Sequence, residues 1–135
     1  MKKYLYLIFA WALALSLTSC DDDDQYNIES VIVGRAWTGD VGMNADNGEA
    51  LFSTFTFGAD GFGEEYQYYS FGGELYDQFR FQWWWENDYN NNLVLDYGRA
   101  GTSYMDDVSV TGNRFRGIFH LSADSPGFNF VLEME

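Results

Sequence analysis

Apolar and polar side chains alternate with a period of two through most of the chain after residue 30. The clearest run is QFRFQWWWE at residues 78–86, in which Phe79, Phe81, Trp83 and Trp85 share one face and only Trp84 interrupts the polar face. Similar runs occupy residues 51–57, 93–97, 115–121 and 128–134. This alternation is typical of half-buried β-strands rather than of helices. We therefore predict an all-β fold.

Turn-forming sequences separate these runs. They are GADG at 58–61, GG at 72–73, NDYNNN at 87–92, TGNR at 111–114 and SADSPG at 122–127. Short strands joined by such turns form hairpins, and about eight of them in succession make an up-and-down meander. Closing the meander on itself removes its exposed edges. We predict a small antiparallel barrel over residues 31–135, in which the strand that ends near Met134 pairs with the first strand.

Residues 1–19 have the layout of a secretory signal peptide. Lys2 and Lys3 precede the apolar run YLYLIFAWALALSL, which is shorter than the roughly 20 residues that a spanning helix needs. The sequence LTSC, which ends at Cys20, resembles a bacterial lipobox. On that resemblance, cleavage makes Cys20 the lipidated first residue of the mature protein. The alternative is an ordinary signal peptide followed by a free cysteine.

Four aspartates, Asp21, Asp22, Asp23 and Asp24, follow the cysteine directly. This run resembles the export signal that directs lipoproteins of Bacteroidetes-type bacteria to the outer face of the outer membrane. A like-charged run also repels itself and stays extended, which suits a disordered tether over residues 20–30. We therefore predict a lipoprotein that is anchored in the outer membrane and faces the cell exterior.

The charge of the mature chain restricts its partners. Two of the seven basic residues are lysines of the signal peptide, which leaves five arginines against 21 acidic residues and a formal charge of −16. Such a field repels phosphate backbones and anionic lipid headgroups. We predict no nucleic-acid partner and a membrane contact through the lipid anchor alone. Because the chain has one cysteine, no disulfide or thiolate metal site can form, and we predict no metal and no cofactor.

Three segments of the domain, VGRAWTGDVG, FTFGADGFG and VTGNRFRG, resemble the small lipocalin-like lipoproteins of Bacteroidetes-type bacteria. The likeness extends over most of residues 31–135 and implies a lipocalin-like barrel, but most members of that family have no assigned activity. Lipocalins proper open with Gly-x-Trp, whereas two residues separate Gly34 from Trp37, so no functional residue is transferred. We expect Trp37 to close one end of the barrel rather than to stack on a ligand. We also expect bulky inward side chains to fill the interior.

Trp84 is the first candidate for a binding site. Alternation places it with Arg80 and Gln82 on the face that should meet water. An indole exposed among polar side chains is typical of a surface that stacks on sugars or contacts a protein. The alternative is an indole half covered by a loop or by the stem of Arg80. The preceding run is expected to widen this surface with Tyr66, Tyr68 and Tyr69.

Catalytic chemistry has little support in the sequence. The adjacent carboxylates of Glu64 and Glu65, and of Asp106 and Asp107, should point to opposite faces of a strand and so cannot form the facing pair that glycoside hydrolysis requires. His120, the sole histidine, should lie on the outer face. We predict a non-catalytic binding or interaction module that contacts a glycan or a protein. The alternatives are an extracellular glycan hydrolase that combines carboxylates from different strands and a carrier of a small apolar ligand.

Overall fold

The structure, a computed structural model, describes residues 27–87 and 91–135. The predicted signal peptide, the predicted lipidation site Cys20 and the four aspartates that follow it lie outside the described residues. Eight β-strands dominate the described part of the chain. In chain order they are β1 Ala36–Gly39, β2 Leu51–Phe57, β3 Phe62–Tyr69, β4 Leu75–Trp85, β5 Leu93–Asp96, β6 Thr102–Thr111, β7 Arg114–His120 and β8 Phe128–Met134.

The eight strands form one closed antiparallel barrel, in which each strand pairs with its neighbours in the chain. The first and last strands complete it, since Trp37 of β1 pairs with Met134 of β8. The all-β class, the up-and-down order and the closing pair are thereby confirmed. Closure pairs the two strands that an open meander would leave as edges. The architecture is consistent with a lipocalin-like fold.

Aromatic side chains fill one end of the barrel. The rings of Trp37 and Phe115 meet edge to face with centroids 5.4 Å apart, and the Phe57 and Phe115 rings lie 6.1 Å apart. Phe81 and Trp83 of β4 contact Phe57 from the other side. Contacts of this geometry add stabilisation beyond the burial of apolar area. The expectation of a filled interior is confirmed for this end of the barrel.

A short helix, α1 (Ile28–Ile32), covers the same end. Its last residue, Ile32, is fully buried, and the carbonyl oxygen of Ile32 accepts a hydrogen bond from the indole nitrogen of Trp37 at 3.1 Å. Trp37 is itself fully buried. It therefore packs as a plug that joins the helix to the barrel, as expected from the sequence.

Residues 27–30, which the sequence placed in the tether, form the cap and first turn of α1. The side-chain oxygen of Asn27 accepts a hydrogen bond from the backbone nitrogen of Glu29 at 3.0 Å, which satisfies one of the free donors at the start of the helix. Ile28 packs against the core. Within the described ranges, no helix combines the length and the apolar character that crossing a bilayer requires.

The two ends of the barrel differ in what covers them. The closed end carries α1, the β2–β3 turn, the β6–β7 turn and the end of β8. The opposite end, called the open end below, carries the connections at residues 40–50, 70–74, 97–101 and 121–127. Because antiparallel neighbours run in opposite directions, alternate connections gather at the same end. The interior is accessible from the open end, where a pocket is found.

Candidate functional site

Arg80, Gln82 and Trp84 project from the outer face of β4. Their neighbours Phe81 and Trp83 are 2% and 6% exposed, whereas Trp84 is 46% exposed. The register predicted for this run is thus confirmed. The guanidinium of Arg80 does not lie over the indole of Trp84 but over the ring of Phe62.

Tyr66 and Tyr68 also lie on the outer face, on the neighbouring strand β3. Tyr66 pairs with Gln78, which places both tyrosines toward the open end. Trp84 lies six positions after Gln78 in extended chain, a span of about 20 Å. The predicted surface is therefore stretched along the strands rather than gathered around the indole.

Tyr69 does not belong to the outer face, which corrects the expectation from the sequence. Side chains alternate along β3, so Tyr69 follows Tyr68 onto the inner side, where it pairs with buried Leu51 of β2. Its ring packs edge to face against Tyr76 with centroids 5.3 Å apart. Tyr69 thus lies inside the open end and contributes nothing to the outer surface.

Phe62 belongs to the outer face and was missed by the sequence-based prediction. It pairs with Gln82, is 41% exposed, and lies 5.8 Å from the guanidinium carbon of Arg80, measured to the ring centroid. Phe62 and Arg80 form a ridge, because both line the open grooves on either side of them. The sequence did contain a signal for Phe62. It lies an even number of positions before Tyr66 and Tyr68, so its side chain falls on the same outer face of β3. We call Phe62, Arg80, Gln82 and Trp84 the outer aromatic face.

Glu64 and Glu65 point to opposite sides of the barrel wall, as predicted. Outside, the carboxylate of Glu64 accepts a hydrogen bond from the hydroxyl of Tyr66 at 2.9 Å, and this bond raises the pKa of Tyr66. Inside, Glu65 is only 4% exposed. The two carboxylates therefore cannot act on one substrate.

The same expectation fails for Asp106 and Asp107. The pairing of β6 with β7 shifts between Asp106 and Ser109, and Asp107 has a positive φ of 53°. This β-bulge adds a residue, so that Val108 rather than Asp107 takes the next inward position and is buried. Both carboxylates consequently lie outside the core.

His120 lies on the outer face of β7, as predicted, and contacts one of these carboxylates. Its Nδ1 donates to the backbone carbonyl oxygen of Ser125 at 3.1 Å, since a carbonyl can only accept. Its Nε2 lies 3.5 Å from a carboxylate oxygen of Asp106. Across residues 27–87 and 91–135, no three His, Cys, Asp or Glu side chains are grouped closely enough to hold a metal ion.

A second candidate site, which the sequence did not reveal, lies inside the barrel at the open end. It is a pocket of about 160 Å³, called the mouth pocket below. Its walls combine polar and apolar side chains, among them Glu65, Gln67, Phe79, Tyr97, Phe119 and Leu121. The interior is therefore filled at one end and hollow at the other.

The carboxylate of Glu65 is the centre of a hydrogen-bond network in this pocket. Its Oε2 accepts bonds from the Ser53 hydroxyl at 2.8 Å and from the Gln67 amide nitrogen at 3.0 Å. Its Oε1 accepts a bond from the Tyr97 hydroxyl at 2.6 Å. Burial raises the pKa of Tyr97 well above its usual value, and the adjacent carboxylate raises it further. Tyr97 thus stays a hydrogen-bond donor to Glu65 at neutral pH.

The inward position of Glu65 follows from the hairpin that precedes it. Across the GADG turn, Phe57 pairs with Gly63, and this register sets Glu65 opposite buried Phe55. If aromatic side chains are assumed to point inward, the two faces of FGEEYQYY are assigned the wrong way round, because most aromatic side chains of β3 point outward. Counting the register outward from the turn would have found the buried carboxylate.

The chain has no match among protein-family models, curated proteins or solved structures. The chain therefore resembles the lipocalin-like fold in its barrel architecture. Proposals on its function rest on the chemistry of the outer aromatic face and the mouth pocket.

Proposed function

We propose that the protein is a non-catalytic binding module that contacts neutral glycans through its outer aromatic face. The observation that carries this proposal is the pair of exposed rings, Phe62 and Trp84, held on the outside of a closed sheet beside Arg80 and Gln82. Exposed aromatic side chains grouped with polar neighbours are typical of interaction surfaces.

The spacing of these side chains suits a sugar chain. Phe62 is a direct cross-strand neighbour of Gln82, and Trp84 follows Gln82 on the same face about 7 Å along the strand. The two rings offer apolar surfaces for the C–H faces of pyranose rings. The amide of Gln82 between them offers two donors and an acceptor for the hydroxyl groups at the sugar edge.

Arg80 adds donors that are free to bind. In the described part of the chain no carboxylate forms an ion pair with Arg80, and its guanidinium is instead held over Phe62. A planar guanidinium has five N–H groups in a fixed fork. Because the strands fix the backbone positions of these residues, binding costs less conformational entropy than it would on a flexible loop.

The charge of the protein selects among glycans. The full chain has a formal charge of −14, and such a field repels polyanionic polysaccharides as it repels nucleic acids. Neutral glycans do not suffer this repulsion. A protein partner is the competing occupant of the same face, and the experiment below distinguishes the two.

We propose in addition that the module is located at the cell exterior. Lipidation of Cys20 and export directed by Asp21–Asp24 would present the barrel at the cell exterior, where extracellular glycans are found. The same features make the protein similar to the small lipocalin-like surface lipoproteins of Bacteroidetes-type bacteria. A multiply acylated cysteine would anchor it stably, because each buried methylene contributes about 0.8 kcal/mol.

A glycan array tests the proposal. The chain from residue 20 onward, carrying Cys20→Ser to prevent acylation, is compared with the same chain carrying Phe62→Ala, Trp84→Ala or Val131→Ala. Val131 is a matched control, because it is 46% exposed on β8, across the barrel from β4. We expect binding to a neutral glycan that falls at least about tenfold in the two aromatic variants and stays within about twofold in the control.

Two outcomes would contradict the proposal. Equal losses in Val131→Ala and Trp84→Ala would mean that the outer aromatic face is not the contact. Absence of glycan binding, together with capture of a protein that depends on Trp84, would assign this face to a protein partner instead.

A further inference from the structure

The mouth pocket contains a buried carboxylate without a cation. Glu65 is 4% exposed, and in the part of the chain that the structure describes no basic side chain forms an ion pair with it. Burying a carboxylate is costly unless hydrogen bonds and an opposite charge compensate for the lost water. Ser53, Gln67 and Tyr97 supply the hydrogen bonds. Among the described residues, no Lys, Arg or His side chain adds an opposite charge to them.

The carboxylate retains capacity for one more donor. A carboxylate offers about four acceptor positions on its two oxygens. From the described residues, Oε2 of Glu65 accepts two hydrogen bonds, whereas Oε1 accepts one, from Tyr97. Because Glu65 lines the mouth pocket, the remaining position on Oε1 is the natural contact for a ligand bound there.

The other walls of the pocket suit a compact apolar group. Phe79 and Tyr97 meet edge to face with centroids 5.9 Å apart, and Phe119 and Leu121 also line the space. The volume of about 160 Å³ resembles that of cavities known to hold a benzene-sized molecule. The π faces of aromatic rings also attract cations, most strongly where water is excluded.

We propose that the mouth pocket binds a small organic monocation, an amine whose protonated nitrogen contacts Oε1 of Glu65 and whose ring or short hydrocarbon group contacts Phe79 and Phe119. The negative field of the protein raises the local concentration of such cations and speeds their entry. This site is separate from the outer aromatic face, and neither proposal depends on the other.

Benzylamine, a cation at pH 7, and benzyl alcohol, its neutral counterpart of nearly equal size, are suitable probes. Binding to the chain from residue 20 onward, carrying Cys20→Ser, is measured for both by titration calorimetry and by protein NMR shifts. Because the ammonium of benzylamine adds an ion pair with the carboxylate that the hydroxyl of benzyl alcohol cannot form, benzylamine should bind about tenfold to hundredfold more tightly. Equal affinities for the two probes would overturn the proposal.

Glu65→Gln and Glu64→Gln form a matched pair of variants. Each removes one carboxylate charge from adjacent positions of the same strand, but only Glu65 faces the pocket. Glu65→Gln should remove the preference for benzylamine over benzyl alcohol, whereas Glu64→Gln should leave it unchanged within about twofold. A loss of similar size in both variants would indicate a general effect of charge and would overturn the proposal.

A third variant serves if Glu65→Gln fails to fold. Leu121 lies at the rim of the pocket and is 52% exposed, so Leu121→Trp should obstruct the entrance without disturbing the buried network. Benzylamine binding should then fall at least about tenfold, while Val131→Ala, which lies outside the pocket, should leave it unchanged. Unaltered binding to Leu121→Trp would place the amine elsewhere and contradict the assignment.

Discussion

Trp83 and Trp84 are adjacent in the chain but lie on opposite sides of the barrel wall, and they should respond differently to truncation. Trp83→Ala removes a ring that contacts Phe57 and Trp85 in the core, which should cost about 3 to 5 kcal/mol of unfolding free energy. Trp84→Ala removes a half-exposed ring and should cost far less. Denaturant unfolding of both variants measures the difference. Equal destabilisation would mean that the strand register is shifted by one residue.

Tyr97 makes the stability of the barrel sensitive to high pH. The pKa of folded Tyr97 is raised by burial and by the Glu65 carboxylate, whereas an unfolded tyrosine loses its proton near pH 10. The contribution of Tyr97 should therefore be complete below about pH 10 and decrease above it by about 1.4 kcal/mol per pH unit, until the folded pKa is reached. Tyr97→Phe should abolish this decrease.

The measurement for Tyr97 is urea unfolding at a series of pH values from 8 to 11. The difference in unfolding free energy between wild type and Tyr97→Phe should be constant up to about pH 10 and should then fall. Tyr68→Phe, on the outer face, controls for the loss of a hydroxyl group. A difference that stays constant through pH 11 would contradict the proposed environment of Tyr97.

Helix α1 acts as an element of the barrel rather than as part of the tether. Ile32→Ala should cost about 2 to 5 kcal/mol of unfolding free energy, because Ile32, the last residue of the helix, is fully buried. Val31→Ala, in the same helix but only partly buried, should cost clearly less while changing helix propensity similarly. Denaturant unfolding compares the two. If Ile32→Ala proved as mild as Val31→Ala, the helix would contribute little to closing the barrel.

At the scale of the whole molecule, we predict that Cys20 and the four aspartates after it determine where the protein is located and not how it folds. Cys20→Ser should release the protein from membranes or leave its signal uncleaved, because no acceptor for lipid remains. Replacing Asp21–Asp24 with alanine should leave the protein lipidated but remove it from the cell exterior. Membrane fractionation and digestion by external protease measure these effects. Continued acylation of the first variant, or unchanged protease access to the second, would contradict the respective assignment.

The candidate site was only partly predictable from the sequence. Trp84, Arg80 and Gln82 were placed correctly because strict alternation needs no knowledge of the partner strand. Phe62 and Glu65 were not named as site residues, although both follow from placing Tyr66 and Tyr68 outside, because Phe62 shares the phase of these tyrosines and Glu65 has the opposite phase. The register with β2 establishes these faces, since Glu65 pairs with buried Phe55. The bulge at Asp107 likewise depends on how β6 pairs with β7.

The sequence by itself determined the class of fold, the approximate number of strands and their order. Period-two alternation and turn-forming residues act over a few neighbouring positions, so they can be read without the rest of the molecule. The tertiary structure alone decided which end of the barrel is filled and which is hollow. It also decided that Tyr97 meets Glu65 across 32 positions of chain. Such contacts depend on the register and closure of the whole sheet, which no local pattern encodes.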